Sequence, residues 1–160
     1  MEIANIVAVD TQKDLALLHI ANPRSKACLK ILKSPVAIGT PCGSLGFPLA
    51  QVGPTPQGIS FNLVERFQGA NISALVTTKD PNSTDITFYE TDSLMYAGSS
   101  GCPGFLVSGD VFGMHNRSVL DSPQTGQQIG GGAQSTRLAI SMWVTSMDIV
   151  AFASAHGVKL

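Results

Sequence analysis

A chain of 160 residues with 44% hydrophobic composition is long enough for one globular domain with a sizeable core, and a formal charge of −1 at pH 7 gives no basic stripe for nucleic acid or an anionic membrane. No apolar run reaches membrane-spanning length, and no basic-then-apolar leader opens the sequence. Three cysteines, Cys28, Cys42 and Cys102, are odd in number and lack metal-ligand spacing, which favours free thiols, a reducing intracellular compartment and no metal or other cofactor.

The predicted elements are short and turn-bounded, the signature of an all-β sandwich or barrel rather than of βαβ units. Glu2–Asp10 reads as a strand, and Thr11-Gln12-Lys13 turns the chain into Asp14-Leu15-Ala16-Leu17-Leu18. A carboxylate at such a place commonly does no more than cap a turn. Ala21–Ser34 is a connector with Pro23 and three lysines. Val36–Gly39 and Gly43–Pro48 lead into a Pro- and Gly-rich loop over Gln51–Gly58, and Ile59–Phe67 and Ile72–Thr78 are predicted strands. Lys79–Thr84, with Asp80-Pro81-Asn82-Ser83, is a turn.

An alternating run around Ile86 and Phe88 then leads to Gly98-Ser99-Ser100-Gly101-Cys102-Pro103, where two hydroxyls stand between glycines that let the backbone turn sharply and approach a ligand. Two apolar runs follow, Phe105–Val107 and Val111–Met114, parted by Ser108-Gly109-Asp110, so the order is strand, tight loop, hairpin. That context rules out the Gly-x-Ser-x-Gly elbow, because Cys102 replaces the second glycine and Pro103 opens a strand instead of a helix. Asp121–Gln134 is a long loop whose Gly130-Gly131-Gly132 lacks the Lys-Ser/Thr of a phosphate-binding loop and reads as flexible connection bordering a cleft. Arg137–Val144 is a last strand. The ending is helical, capped by Thr145 with Asp148 three residues on, Met147, Val150, Ala151 and Ser154 on one face, and Gly157 as the stop.

Gly98, Ser100, Gly101 and Pro103 match the Gly-x-Ser-Gly-x-Pro signature, and the loop resembles the nucleophile loop of trypsin-like serine peptidases of the chymotrypsin fold. Val9-Asp10-x-x-x-Asp14-Leu-Ala-Leu-Leu resembles the segment that carries the triad aspartate in HtrA-type relatives. The resemblance implies a double β-barrel with an incomplete first barrel and a C-terminal helix: residues 1–34 a remnant of the first barrel and linker, 35–144 the second barrel, 145–160 the helix. It implies Ser100 as nucleophile, Asp14 as a buried orienting acid, and the amides of Gly98 and Ser100 as the oxyanion hole. The family's histidine precedes its aspartate, and no histidine stands before Asp14, so the chain is expected to be N-terminally incomplete and inactive by itself.

His19, five positions beyond Asp14, reads as a strand residue, and His156 suits a helix C-terminus. His115, in Gly113-Met114-His115-Asn116, resembles the pocket histidine of glutamyl endopeptidases and of picorna-type viral proteases, which reads a Glu or Gln of the substrate. An apolar preference or a core histidine remain open, since Leu94 and Met95, expected in the same pocket, supply neither hydroxyl nor charge. The partner implied is a peptide or protein substrate pairing with the strand edge Asn116, Arg117 and Ser118, with no nucleic acid and no membrane. Bared barrel edges are a liability for self-association. A pseudoprotease, a peptide-binding or scaffold module that kept the cleft without catalysis, is the alternative.

Overall fold

A computed structural model of the chain describes residues 4–25, 27–49, 51–56, 58–79, 85–120 and 137–160. The first hairpin pairs β1 (Ala4–Asp10) with β2 (Leu15–Ile20), antiparallel, in a two-stranded sheet of its own. Because only Leu15 of this hairpin enters a core, Ile6, Val7, Val9, Leu18 and Ile20 stay exposed.

Six strands close into a barrel: β3 (Pro41–Gly46), β6 (Arg66–Lys79), β7 (Asp85–Thr91), β8 (Pro103–Leu106), β9 (Val111–Leu120) and β10 (Arg137–Thr145), in the order β10-β7-β6-β3-β8-β9. Closure pairs neighbouring strands around the ring and turns alternate residues inward, while β9 runs on past β8, which pairs it only from Val111 to Met114. Ile72, Tyr89, Met95, Phe112 and Trp143 form one core cluster. Leu15, Ile86, Phe88, Met142 and Val144 form another, with Ile149 and Phe152 of α1 (Ser146–Ala155) packed against it. The mostly-β architecture with its C-terminal helix is the expected fold class.

Three expectations differ in detail. The stretch read as a loop holds β4 (Gln51–Thr55), which pairs with β5 (Gly58–Asn62) as a separate hairpin outside the barrel; Gly58, at φ 133°, makes the reversal after Pro56. The second strand of that region begins at Arg66 and runs unbroken through Gly69 to Lys79, since pairing with β3 and β7 on its two edges outweighs the local weakness of a glycine. The buried face of α1 is Ser146, Ile149, Phe152 and Ala153, whereas Ala151 and Ser154 are exposed. Apolar residues surround this helix, so its sequence did not single out one stripe. The cap is as expected: Thr145 Oγ1 accepts the Asp148 N–H at 3.1 Å. The predicted turn over Lys79–Thr84 and the loop over Asp121–Gln134 lie almost wholly outside the described residues.

Between hairpin and barrel, the connector is laid against β9. Val111 donates its N–H to the Lys30 carbonyl at 2.8 Å, Leu32 donates to the Val111 carbonyl at 2.9 Å, and Lys30 pairs with Asp110 at 3.0 Å. The cysteines are free thiols. Burial pushes the Cys42 thiol up to about 11, and the charge of Asp92 adds to the shift, while Cys28 is exposed. At pH 8 iodoacetamide should therefore alkylate Cys28 rapidly and Cys42 only after unfolding, as peptide mapping would record.

Candidate active site

Leu15 is buried at 4% exposure and fixes the start of β2 against the barrel, so the residue before it is held at the barrel surface. The turn leading in is tied by Asp10, whose Oδ1 accepts the N–H groups of Gln12 and Lys13, both at 3.0 Å. Lys13 pairs with Asp148, whose carboxylate also accepts the hydroxyl of Thr145, the N-cap of α1. Asp14 stands between these anchors in a left-handed conformation, φ 55°, which for a non-glycine costs about 1 kcal/mol and persists only where neighbours impose it. Its carboxylate is exposed, unlike the buried acid the resemblance implied, because nothing among the described residues covers it.

The loop after β7 reaches the same place from the other side. Gly98 and Gly101 take φ of 92° and 83°, which L-residues rarely adopt, and so let the chain fold over twice within four residues. Ser99 N–H donates to the Tyr96 carbonyl at 3.1 Å, and Cys102 N–H donates to the Ser99 carbonyl at 3.0 Å. Gly101 N–H bonds the His115 carbonyl at 2.8 Å, and His115 N–H returns the bond to the Cys102 carbonyl at 2.9 Å. The loop is thus pinned to β9. The amides of Gly98 and Ser100 bond to no described residue, which leaves two donors available at the bend.

Asn116 joins the halves. The pairing of β9 with β10 slips between Arg117↔Met142 and His115↔Trp143, so Asn116 is the extra residue of a bulge, a feature that re-aims a side chain. Its Nδ2 donates to Asp14 Oδ2 at 3.4 Å, and its backbone oxygen accepts the hydroxyl of Ser100 at 3.2 Å. Two residues far apart in sequence therefore meet at one strand position. Sequence reasoning gave Asn116 to substrate alone and missed the Lys13–Asp148 latch; Thr145 and Asp148 carried a capping signal, but nothing in it pointed to Lys13.

Beside Ser100 opens a pocket of about 200 Å³. Met95, Tyr96, Ala97, His115, Arg117 and Ser118 line it with Ser100 and Asn116. Leu94 does not: it is half-buried, and its carbonyl accepts from Gln68 Nε2 at 2.9 Å. His115 is only 3% exposed, stacks edge-on against Trp143 at 5.1 Å, and neither ring nitrogen has a hydrogen-bond partner. Ser118 is committed to the Met95 carbonyl at 2.8 Å, and Arg117 lies over the Phe88 ring at 5.3 Å.

Burial holds the His115 imidazole below its ordinary pKa, with the Ser99 carbonyl pulling weakly the other way. The unfolded chain then binds this proton more readily, so stability is whole above about pH 6.5 and falls as pH drops from there toward the folded pKa. Asp92 and Asp110, lowered by bonds from Asn71 and Lys30 respectively, lose their contributions only below about pH 4 and stay out of that window. Urea melts between pH 7.5 and 5 should show a loss that His115→Phe removes.

Among the described residues, no histidine side chain hydrogen-bonds Asp14 or Ser100. His19 lies on β2 and is exposed, His115 is in the pocket, and His156 bonds the Phe152 carbonyl at 2.8 Å at the end of α1. Among the described residues no group of three or more His, Cys, Asp or Glu could hold a metal ion, and no helix is long and apolar enough to cross a membrane.

Comparison with known proteins fits this geometry. The family model for the trypsin-like peptidase domain matches residues 2–114, which spans both the Asp14 hairpin and the Ser100 loop. The chain belongs to the trypsin-like peptidase domain family. No curated protein matches it in sequence. Among solved structures, a serine-to-alanine mutant of Rv3671c from Mycobacterium tuberculosis in its inactive form superposes with a TM-score of 0.67 at 17% identity, over 96% of this chain and 64% of that one. The active form of the Rv3671c protease gives 0.67 at 18% identity, over 98% and 60%. This trypsin-like domain therefore spans less than two thirds of those two chains, 64% and 60%, and at such identity the likeness shows the fold.

Proposed function

We propose that this domain serves a serine endopeptidase that cleaves peptide bonds by acyl transfer at Ser100. The observation that supports it best is that Ser100 Oγ and the Asp14 carboxylate are both held by Asn116 beside the uncommitted amides of Gly98 and Ser100. Ser100 attacks the peptide carbonyl, and the two amides stabilise the oxyanion that forms. A base supplied from outside these 160 residues takes the hydroxyl proton, and Asp14 orients that base. The peptide backbone pairs with the edge of β9 at Asn116–Ser118.

The pocket takes the side chain on the acyl side of the cleaved bond. A neutral, orphaned His115 imidazole at its floor offers one donor and one acceptor, Arg117 supplies the sole charge among the lining residues, and no acid is present, which together favour Gln or Glu over Lys or Arg. Burying a side chain that leaves these nitrogens unpaired should lower kcat/KM about tenfold relative to Gln.

The lack of a bond from any of the three histidine side chains to Asp14 or Ser100 favours one second reading, a pseudoprotease that binds peptides and scaffolds without cutting them. A fluorophosphonate probe applied to the natural protein in its source extract decides between them. Labelling at Ser100, mapped by mass spectrometry, supports the peptidase. Labelling unchanged in Ser100→Ala refutes Ser100 as nucleophile, and peptide binding with no labelling supports the scaffold.

A further inference from the structure

The nucleophile loop has a second flank that the pocket does not use. Past β3 the chain runs Phe47-Pro48-Leu49 directly behind Gly98: a Cβ placed on Gly98 would lie 3.5 Å from the Phe47 oxygen, 3.5 Å from Pro48 Cα and 3.6 Å from the Leu49 nitrogen. Leu49 N–H bonds the Ala97 carbonyl at 2.9 Å, and Arg66 bonds the Pro48 carbonyl at 2.8 Å. Pro48 is fully buried and anchors the segment, while Phe47 and Leu49 on either side of it remain 48% and 49% exposed. Leu49 also holds φ 60°, a left-handed conformation that a bulky side chain seldom takes and that clusters at ligand clamps. Two large apolar side chains are thereby presented to solvent on a rigid support, in contact with the loop that carries Ser100.

We propose that Phe47 and Leu49 form an apolar shelf that binds the leaving-group side of the peptide, selecting a Leu, Ile, Met or Phe side chain just after the cleaved bond. This rests on the acyl-transfer reading of Ser100. The pocket lies on one side of the Ala97–Ser100 loop, its lining including Ala97 and Ser100 but none of residues 47–49. An extended peptide that fills the pocket and crosses Ser100 must continue over the other side, onto Gly98 and the shelf behind it. The occupant is fixed by this continuity with the site and by the shelf's chemistry. Phe47 and Leu49 have apolar side chains that offer no hydrogen-bond partner, and the Arg66 guanidinium is bonded to the Pro48 carbonyl.

The test uses two fluorescent peptides with Gln for the pocket, differing only in the next residue, Leu or Ser, titrated by anisotropy into the Ser100→Ala protein so that no cleavage intervenes. The Leu peptide should bind about fivefold or more tightly, the worth of burying part of one aliphatic side chain. Leu49→Gly keeps the amide and suits the left-handed backbone, and Phe47→Ser removes the other side chain. Each should erase the preference for Leu and leave the Ser peptide's Kd unchanged. A preference that persists in both variants, or an equal loss for both peptides, overturns the shelf. The ring signals of His115, followed by NMR, separate two kinds of failure. A peptide that shifts them without preferring Leu defeats the shelf alone, and one that binds without shifting them, or does not bind, defeats the shelf and the acyl-transfer reading together.

Discussion

Replacing Ser100 by alanine is expected to abolish fluorophosphonate labelling and, in a form that carries its general base, to lower kcat for peptide hydrolysis by about 10⁶-fold with little change in KM. The size follows from what the residue does. On the acyl-transfer proposal the hydroxyl forms the covalent intermediate, and the neighbouring Ser99 cannot replace it, being fully buried with its hydroxyl unpartnered. Ser100 makes only a 3.2 Å bond to the Asn116 carbonyl, so its loss should barely alter stability. Asp14→Asn should cost about 10⁴-fold, less than the serine, because it leaves the nucleophile in place and spoils only the tautomer and charge of the base. Combining the two substitutions should cost no more than Ser100→Ala alone, since residues that act as one unit are not additive. A double variant slower than the serine variant would show that Asp14 acts on something other than the base for Ser100.

The parts of this site legible from sequence were those in which residue type and spacing are themselves the chemistry. Gly98 and Gly101 announced a bend that needs positive φ, and Ser100 between them announced a hydroxyl at its tip. Asp14 was legible through the short pattern around it, yet its exposure was not, because burial depends on which distant elements cover a residue. The convergence on Asn116 was hidden for a related reason: it depends on a bulge set by the register of β9 against β10, which no local pattern encodes. The same holds for Leu94, which spacing put in the pocket but which lies outside its lining, in the loop after β7, with its backbone carbonyl tied to Gln68. The shelf formed by Phe47 and Leu49 looked in sequence like an ordinary passage into a loop, and only the fold sets it behind Gly98.

Trp143→Ala should be the most destabilising single change in the barrel, about 3–5 kcal/mol in urea unfolding. Trp143 is 2% exposed, packs on Phe112 at 5.3 Å and on His115 at 5.1 Å, and donates its Nε1–H to Thr91 Oγ1 at 2.9 Å. Its removal leaves a cavity that the frame cannot close: Gly104 lies against the rings of Phe112 and Trp143, and Gly113 is pressed against the Val144 carbonyl, so the backbone on either side is already at contact. Trp143→Phe keeps most of the ring contact and loses the indole donor, leaving a fully buried Thr91 hydroxyl with only Ser93 at 3.3 Å. It should cost about 1–3 kcal/mol. The two variants also separate packing from recognition, since His115 rests on this indole. If the ring serves only the core, both variants should keep the preference between Gln and Lys peptides at temperatures where they stay folded. If it holds the imidazole in place at the pocket floor, Trp143→Ala should erase that preference while Trp143→Phe retains it, because an edge-to-face neighbour remains.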